Sequence, residues 1–149
     1  MSTLATNKRA KLDYQIIEEF EAGLVLDGHE VKSVKLGRLS LRGAFVSIKN
    51  GQAWIKKLHI NPYHKAGHSL KNYEPDHDRQ LLLHNKEITY LTNKTNARGL
   101  TIIPLSVYTT RRIIKVKIAL VKGKKKFDKR QDIKKRDIER IMARKIKDF

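Results

Sequence analysis

Ala44-Phe45-Val46-Ser47-Ile48-Lys49-Asn50-Gly51-Gln52-Ala53-Trp54-Ile55 is the stretch on which the fold turns. Apolar and polar residues alternate around Asn50-Gly51, and both residues of such a pair tolerate the positive φ that a tight hairpin turn demands. Two antiparallel strands are therefore predicted, and Leu58 and Ile60 prolong the apolar pattern. Upstream, Tyr14, Ile16, Phe20 and Ala22 predict one face of a strand running from Leu12 towards Leu26, with Glu19 and Glu21 on the other face. Asp27-Gly28 interrupts that strand. Glu30, Val31, Val34, Lys35 and Leu36 then suit two short helical turns closed by Gly37 as a C-terminal cap.

Downstream, residues 61–76 hold Pro62, Gly67 and Pro75 and read as a long loop. Asp78 predicts the N-cap of a helix over residues 78–95, with Leu81, His84, Ile88 and Leu91 along its buried face and Gly99 closing it. Residues 100–109 and 112–121 read as strands. Pro104 marks an edge or bulge position in the first, and Ile114, Val116, Ile118 and Leu120 alternate with Lys115 and Lys117 in the second. The resulting order of about five strands and two helices admits an oligonucleotide-binding (OB)-type Greek-key β-barrel or a four-stranded RNA-recognition sheet. Arg42-Gly43-Ala44-Phe45-Val46 echoes the aromatic motif of the second fold, yet Ala44 and Ile48 stand where its base-stacking aromatics belong. The helix ending at Gly37 is also short for a parallel crossover. The expected fold class is mainly β with short helices, as an OB-type barrel.

Charge divides the chain. Residues 122–149 carry 13 Lys and Arg against 5 Asp and Glu, with no Gly or Pro after Gly123. Such a segment cannot bury itself in a core, so it is solvated or lies along a polyanion. The full 149 residues have a net charge of +18, and neutralising phosphates with such a surface releases counterions, which makes nucleic acid the default partner. The expected organisation is a flexible N-terminal arm over residues 1–12, a barrel over 13–121 and a basic tail over 122–149. No apolar run approaches the roughly 20 residues of a spanning helix, no secretory or lipidation signal is present, and Cys is absent. A soluble, cytoplasmic protein without membrane contact is expected.

Catalytic readings are weak. His64 and His68 have helical metal-ligand spacing, but Gly67 and the nearby prolines oppose a helix, and no third ligand is placed. Glu18, Glu19, Glu21, Asp76 and Asp78 read as strand-face and helix N-terminal charges rather than a Mg²⁺ site. No Gly-rich phosphate loop and no Ser/His/Asp arrangement is recognisable. The sequence therefore predicts no enzyme, no metal and no cofactor.

Four motifs in order, Gly28-His29-Glu30-Val31-Lys32-Ser33, Lys49-Asn50-Gly51-Gln52-Ala53-Trp54, Leu81-Leu82-Leu83-His84 and Gly123-Lys124-Lys125-Lys126-Phe127-Asp128-Lys129-Arg130, resemble the SsrA-binding protein (small protein B) family. The resemblance runs from Asn7 to the C-terminus. It implies a non-catalytic factor of trans-translation that binds the tRNA-like domain of transfer-messenger RNA and brings it to stalled ribosomes. It also implies a tail that folds to a helix in the empty messenger channel, near the decoding centre and against ribosomal RNA. Elongation factor Tu would be an indirect partner through the charged RNA, and the protein itself a monomer. A ribosomal or general RNA-binding barrel is the alternative.

Carried over residue by residue, Asn7, Lys8 and Arg9 match the family's N-terminal motif, and Glu30, Lys32, Ser33 and Lys35 its RNA-facing short helix. Gly123, Lys124, Lys125, Lys126, Phe127, Asp128, Lys129 and Arg130 match the tail motif, with Asp128 as the helix cap and Lys129 and Arg130 opening its basic face. An intramolecular salt bridge competes with RNA for Glu30, and His84 reads as a core or rim residue bonded to backbone. Ile138, Ile141, Met142, Ile146 and Phe149 form one helical stripe, with Ile133 off it. Two positions depart from the family pattern. Phe127 replaces a His or Tyr, and Gln80 a Lys or Arg for which Arg79 is the nearest substitute.

Overall fold

The computed structural model describes residues 2–96, 99–124 and 126–147. Along the chain these form β1 (Ser2–Thr6), α1 (Ala10–Asp13), β2 (Tyr14–Leu24), α2 (Gly28–Lys35), β3 (Leu39–Ser40), β4 (Phe45–Lys49) and β5 (Gln52–Lys56). There follow β6 (His59–Ile60), a 3-10 turn (Gly67–Leu70), β7 (Arg79–Leu82), α3 (Asn85–Thr95), β8 (Leu100–Thr110), β9 (Ile113–Gly123) and α4 (Lys126–Lys147). The fold is mainly β sheet with helices between and after the strands.

Seven strands pair in the order β1-β8-β4-β5-β7-β2-β9, and β9 pairs with β8 as well, so the pairings from β8 to β9 return on themselves. A separate two-stranded sheet joins β3 to β6. The β4–β5 hairpin forms as the sequence predicts, with Lys49 opposite Gln52 and φ of 53° at Asn50 and 74° at Gly51. The short helix α2 also forms. Gly37 follows it at φ 75°, and its N–H donates to the Val34 carbonyl at 2.9 Å. The main core gathers Val34, Ile55, Leu58, Ile60, Leu91, Val116, Ile118 and Leu120 from strands and helices alike.

Four expectations are corrected. Residues 1–12 are not an arm without regular structure, because Ser2–Thr6 add to the edge of β8. Backbone hydrogen bonding to a free sheet edge needs no apolar periodicity, so the pattern gave no sign of it. Tyr14 and Ile16 do not share a face with Phe20 and Ala22. Ile17 is an extra residue between the pairs Ile16–Val121 and Glu18–Leu120, and this bulge turns the start of β2 over. Tyr14 and Ile16 therefore pack with Ala10, Ile103, Ala119 and Val121 in a second cluster, while Phe20 and Ala22 reach the main core.

The predicted 78–95 helix is a strand followed by a helix. Leu81 faces Ala53 of β5 and Leu24 of β2, and a segment held between two strands gains ladder bonds on both sides that outweigh its helical spacing. His84 is consequently an exposed N-cap of α3 rather than a core or rim residue, and its backbone N–H donates to Glu87 Oε1 at 3.2 Å. Finally, β9 runs through Gly123, two residues beyond the expected end of the body, and α4 starts at Lys126. Asp128 thus lies in the first helical turn instead of at the cap. The bulge after Pro104, between its pair with Ile118 and the pair Ser106–Lys117, matches the reading of that proline.

Strand geometry over residues 79–82 makes the two leucines unequal, since Leu81 is 1% exposed and Leu82 57%. Leu81→Ala is expected to cost about 2–5 kcal/mol in chemical denaturation, and Leu82→Ala about 0.5 kcal/mol or less. Equal losses at the two positions would contradict the strand.

Candidate nucleic-acid interface

Two surfaces carry the residues singled out from the sequence. The first lies where the beginning and the end of the body meet. Tyr14 pairs with Gly123, the Lys124 N–H donates to the Asp13 carbonyl at 2.9 Å, and Lys124 Nζ donates to the Lys11 carbonyl at 2.8 Å. The N-terminal motif and the start of the tail motif, more than a hundred residues apart in sequence, are therefore neighbours. Asn7 is tied to β8, its N–H bonding the Leu105 carbonyl at 2.8 Å and its Nδ2 the Pro104 carbonyl at 3.1 Å. Lys8 and Arg9 are exposed, with Arg9 Nη2 3.3 Å from Asp13 Oδ1.

Beside this surface opens a cleft of about 910 Å³, with Asn7, Lys8 and Arg9 on one wall and Arg42 and Phe45 on the other. Lys57 Nζ sits 5.9 Å from the centre of the Phe45 ring. In the sequence, Arg42 and Phe45 belong to the Arg-Gly-x-Phe run that lacks the aromatics of a recognition sheet.

The second surface is α2. Lys32 and Lys35 are exposed, and Lys32 Nζ lies 5.5 Å from the centre of the Tyr63 ring. Glu30 and Ser33 are placed differently from the expected RNA contacts: both are buried, at 1% and 0% exposure. Glu30 Oε2 accepts from Arg79 Nε at 2.7 Å and Nη2 at 2.5 Å, and it lies 3.0 Å from the Tyr73 hydroxyl and from His77 Nε2. Its Oε1 accepts the Asp27 N–H at 3.2 Å. Arg79 Nη1 reaches the Leu58 carbonyl at 2.5 Å and Nη2 the Pro75 carbonyl at 2.9 Å, while Ser33 Oγ donates to the Asn61 carbonyl at 2.6 Å. These bonds fix α2 on the loop after β6 and leave its lysines facing solvent.

Arg79 therefore does not stand in for the cation replaced by Gln80, because its guanidinium is fully used inside the protein. The internal salt bridge, not RNA, is the partner of Glu30. Its sequence signal was a lone Arg on the buried side of an alternating strand, a position that demands a carboxylate.

Burial opposes ionisation of Glu30, but the Arg79 hydrogen bonds, the Asp27 N–H, the Arg79 charge and Tyr73 together hold its carboxyl below the usual value. Burial and the Glu30 carboxylate push the Tyr73 phenol up to about 12. On the β2–β9 face, the Lys115 and Tyr108 hydrogen bonds lower the Glu21 carboxyl, with Lys115 Nζ 2.8 Å away.

Of the tail motif, Lys124 is half-buried, and Arg130 is exposed on α4. Lys125 and Phe149 lie outside the described residues, as do the side chains of Lys126, Phe127, Asp128, Lys129 and Ile146. Ile138, Ile141 and Met142 are 54%, 53% and 59% exposed, so this part of the stripe is free of the body. Among the described residues no cluster of three metal-ligating side chains occurs and no helix is long and apolar enough to cross a membrane.

The fold and these surfaces define a basic, mainly β domain that presents cations from its N-terminal motif, from α2 and from a terminal helix. The chain belongs to the SmpB protein family, whose model matches residues 4–148. Its relatives include the SsrA-binding protein of Coprothermobacter proteolyticus, 51% identical over 99% of this chain and 98% of that one. The SsrA-binding protein of Trichodesmium erythraeum is 47% identical over 98% of this chain and 93% of its own. A solved structure described as "tmRNA-SmpB: a journey to the center of the bacterial ribosome" is similar at a TM-score of 0.68 and 36% identity, over 87% of this chain and 93% of that one.

The Glu30–Arg79 pair yields a signed expectation. A carboxylate whose folded pKa is depressed contributes stability above its unfolded pKa, and that contribution is lost as pH falls through the folded value. Glu30→Gln, which leaves the buried guanidinium unpaired, is expected to lower stability at pH 7 by about 3–5 kcal/mol and to flatten the acid limb of the stability profile. Denaturant titrations from neutral to acid pH check this, and an unchanged acid limb would contradict it.

Proposed function

We propose that this protein is an RNA-binding factor of trans-translation, in which the body binds the tRNA-like domain of transfer-messenger RNA and delivers it to stalled ribosomes. Family membership over residues 4–148 carries the reading, since relatives matching nearly the whole chain are SsrA-binding proteins. The solved chain from tmRNA-SmpB on the bacterial ribosome supports the same two partners. The family is one of RNA-binding proteins, and the protein acts without catalysis, as a cytoplasmic monomer that meets elongation factor Tu only through the charged RNA.

We assign the body an OB-type Greek-key barrel, a reading supported by the circuit of pairings through β8, β4, β5, β7, β2 and β9. Asn7, Lys8, Arg9, Lys32 and Lys35 meet RNA directly, by phosphate contacts that position a folded RNA. Glu30 and Ser33 act through α2 by holding those lysines in place. The tail, opening at Gly123-Lys124-Lys125-Lys126-Phe127-Asp128-Lys129-Arg130, is helical when bound and senses the empty messenger channel. A single helix so charged is marginal in water, which supports folding on the polyanion.

Binding of transfer-messenger RNA, ordinary tRNA and an unrelated structured RNA at physiological salt is expected to favour the first by at least about tenfold. Equal affinities would place the chain with general RNA-binding barrels. Removing residues 128–149 is expected to leave the affinity for transfer-messenger RNA within about threefold while abolishing tagging on stalled ribosomes. Loss of RNA binding in the absence of ribosomes would make the tail an RNA anchor.

A further inference from the structure

Among the described residues, five other than Gly have positive φ: Asn50, Lys57, Asn72, Arg111 and Arg112. Asn tolerates this backbone region, whereas a long side chain gains nothing from it. Two of these residues are consecutive. Arg111 (φ 48°) and Arg112 (φ 68°) form the two-residue turn between β8 and β9, flanked by the pair Thr110–Ile113. The chain solves the same geometrical problem between β4 and β5 with Asn50-Gly51, at φ 53° and 74°. One turn thus has the residues its backbone favours, and the other has two cations in their place.

No intramolecular contact accounts for the exchange. Both arginines are exposed, and among the described residues neither guanidinium has a hydrogen bond or ion pair. Carboxylates are present on the neighbouring strand, but Lys115 and Lys117 use them, at 2.8 Å from Glu21 and 3.7 Å from Glu19. Lys115 and Lys117 of β9 are neutralised, and the arginines just before it are not.

The position of the turn indicates which partner it faces. It stands at the far end of β9 from Gly123, on the order of 30 Å away at the rise of a strand, so it is separate from the tail exit. β8 pairs with β1 next to the turn, Ser2 facing Thr109 and Thr3 facing Tyr108. At the next residue of β1, the Leu4 carbonyl lies 3.8 Å from where a Cβ on Gly37 would be, which sets the end of α2 beside β1. The exposed Lys35 and Arg38 flank that end.

We propose that Arg111-Arg112 is a phosphate-gripping tip that extends the α2 surface onto the sugar-phosphate backbone of transfer-messenger RNA, an inference that rests on the function proposed above. A guanidinium meets a phosphate with two parallel hydrogen bonds, and two adjacent forks on a rigid hairpin hold successive phosphates without reading bases. The unfavourable turn backbone is offset only when the RNA is bound.

The test compares the full-length wild type with Arg111→Asn/Arg112→Gly and Arg111→Lys/Arg112→Lys, measuring Tm and affinity for the tRNA-like domain of transfer-messenger RNA across a salt series. The Asn-Gly variant is expected to melt about 3 °C or more higher. It is expected to bind on the order of tenfold more weakly at physiological salt, with the slope of log K against log salt reduced by about 1.5. The Lys variant keeps the wild-type slope. Wild-type affinity and slope in the Asn-Gly variant would overturn the inference, as would a lower Tm, which would make the arginines structural, or a loss seen only on ribosomes. If the wild type itself shows no preference for transfer-messenger RNA, the proposed function falls and this inference with it. A wild type that prefers that RNA and an Asn-Gly variant that binds equally well would overturn the tip alone.

Discussion

β9 is hydrogen-bonded on both sides, to β2 and to β8, and the rest of the architecture depends on that double pairing. It closes the circuit of strands. It also supplies both cores, since Val116, Ile118 and Leu120 enter the main cluster and Ala119 and Val121 the second. Such a strand reads as an apolar run towards its end, where both faces are buried, and as alternation near its start, where Lys115 and Lys117 face outward. The same pairing sets Gly123 against Tyr14 and so delivers the tail to the side of the N-terminal motif. The bulge at Ile17 makes this possible by turning Tyr14 and Ile16 towards the second cluster.

Electrostatics is divided between the inside and the outside of the molecule. The one buried ion pair described, Glu30 with Arg79, is saturated with hydrogen bonds, the condition under which burying two charges is tolerated. Its consequence is positional, because Glu30 sits on α2 and Arg79 on β7, so the pair sets how Lys32 and Lys35 are presented. The outer cations differ. Among the described residues, Arg111 and Arg112 have no carboxylate to neutralise them, and an unneutralised cation on a rigid surface is what a polyanion can use.

Much of this was legible in the sequence. Asn50-Gly51 fixed its hairpin because turn chemistry is local, and Gly37 fixed the end of α2 for the same reason. The bulge next to Pro104 was legible because a residue without an N–H leaves a gap in the ladder. What escaped was set by partners distant in the chain. β1 exists because β8 offers an edge, and β7 is a strand because β5 and β2 lie on either side of it. Glu30 was open to RNA or to an internal salt bridge, and its partner Arg79 stands 49 residues away in the chain. Arg112 was expected inside a strand over residues 112–121, and the backbone angles place it instead with Arg111 in a turn like that of Asn50-Gly51.

In the function proposed above, one RNA is held by the body through the N-terminal motif and α2, with β9 as the scaffold between them. Amide hydrogen exchange of the full-length protein with and without transfer-messenger RNA tests it most directly. Added protection is expected over residues 6–10 and 28–38, with unchanged slow exchange at the centre of β9. Protection confined to α4, with both body segments exchanging as in the free protein, would contradict it.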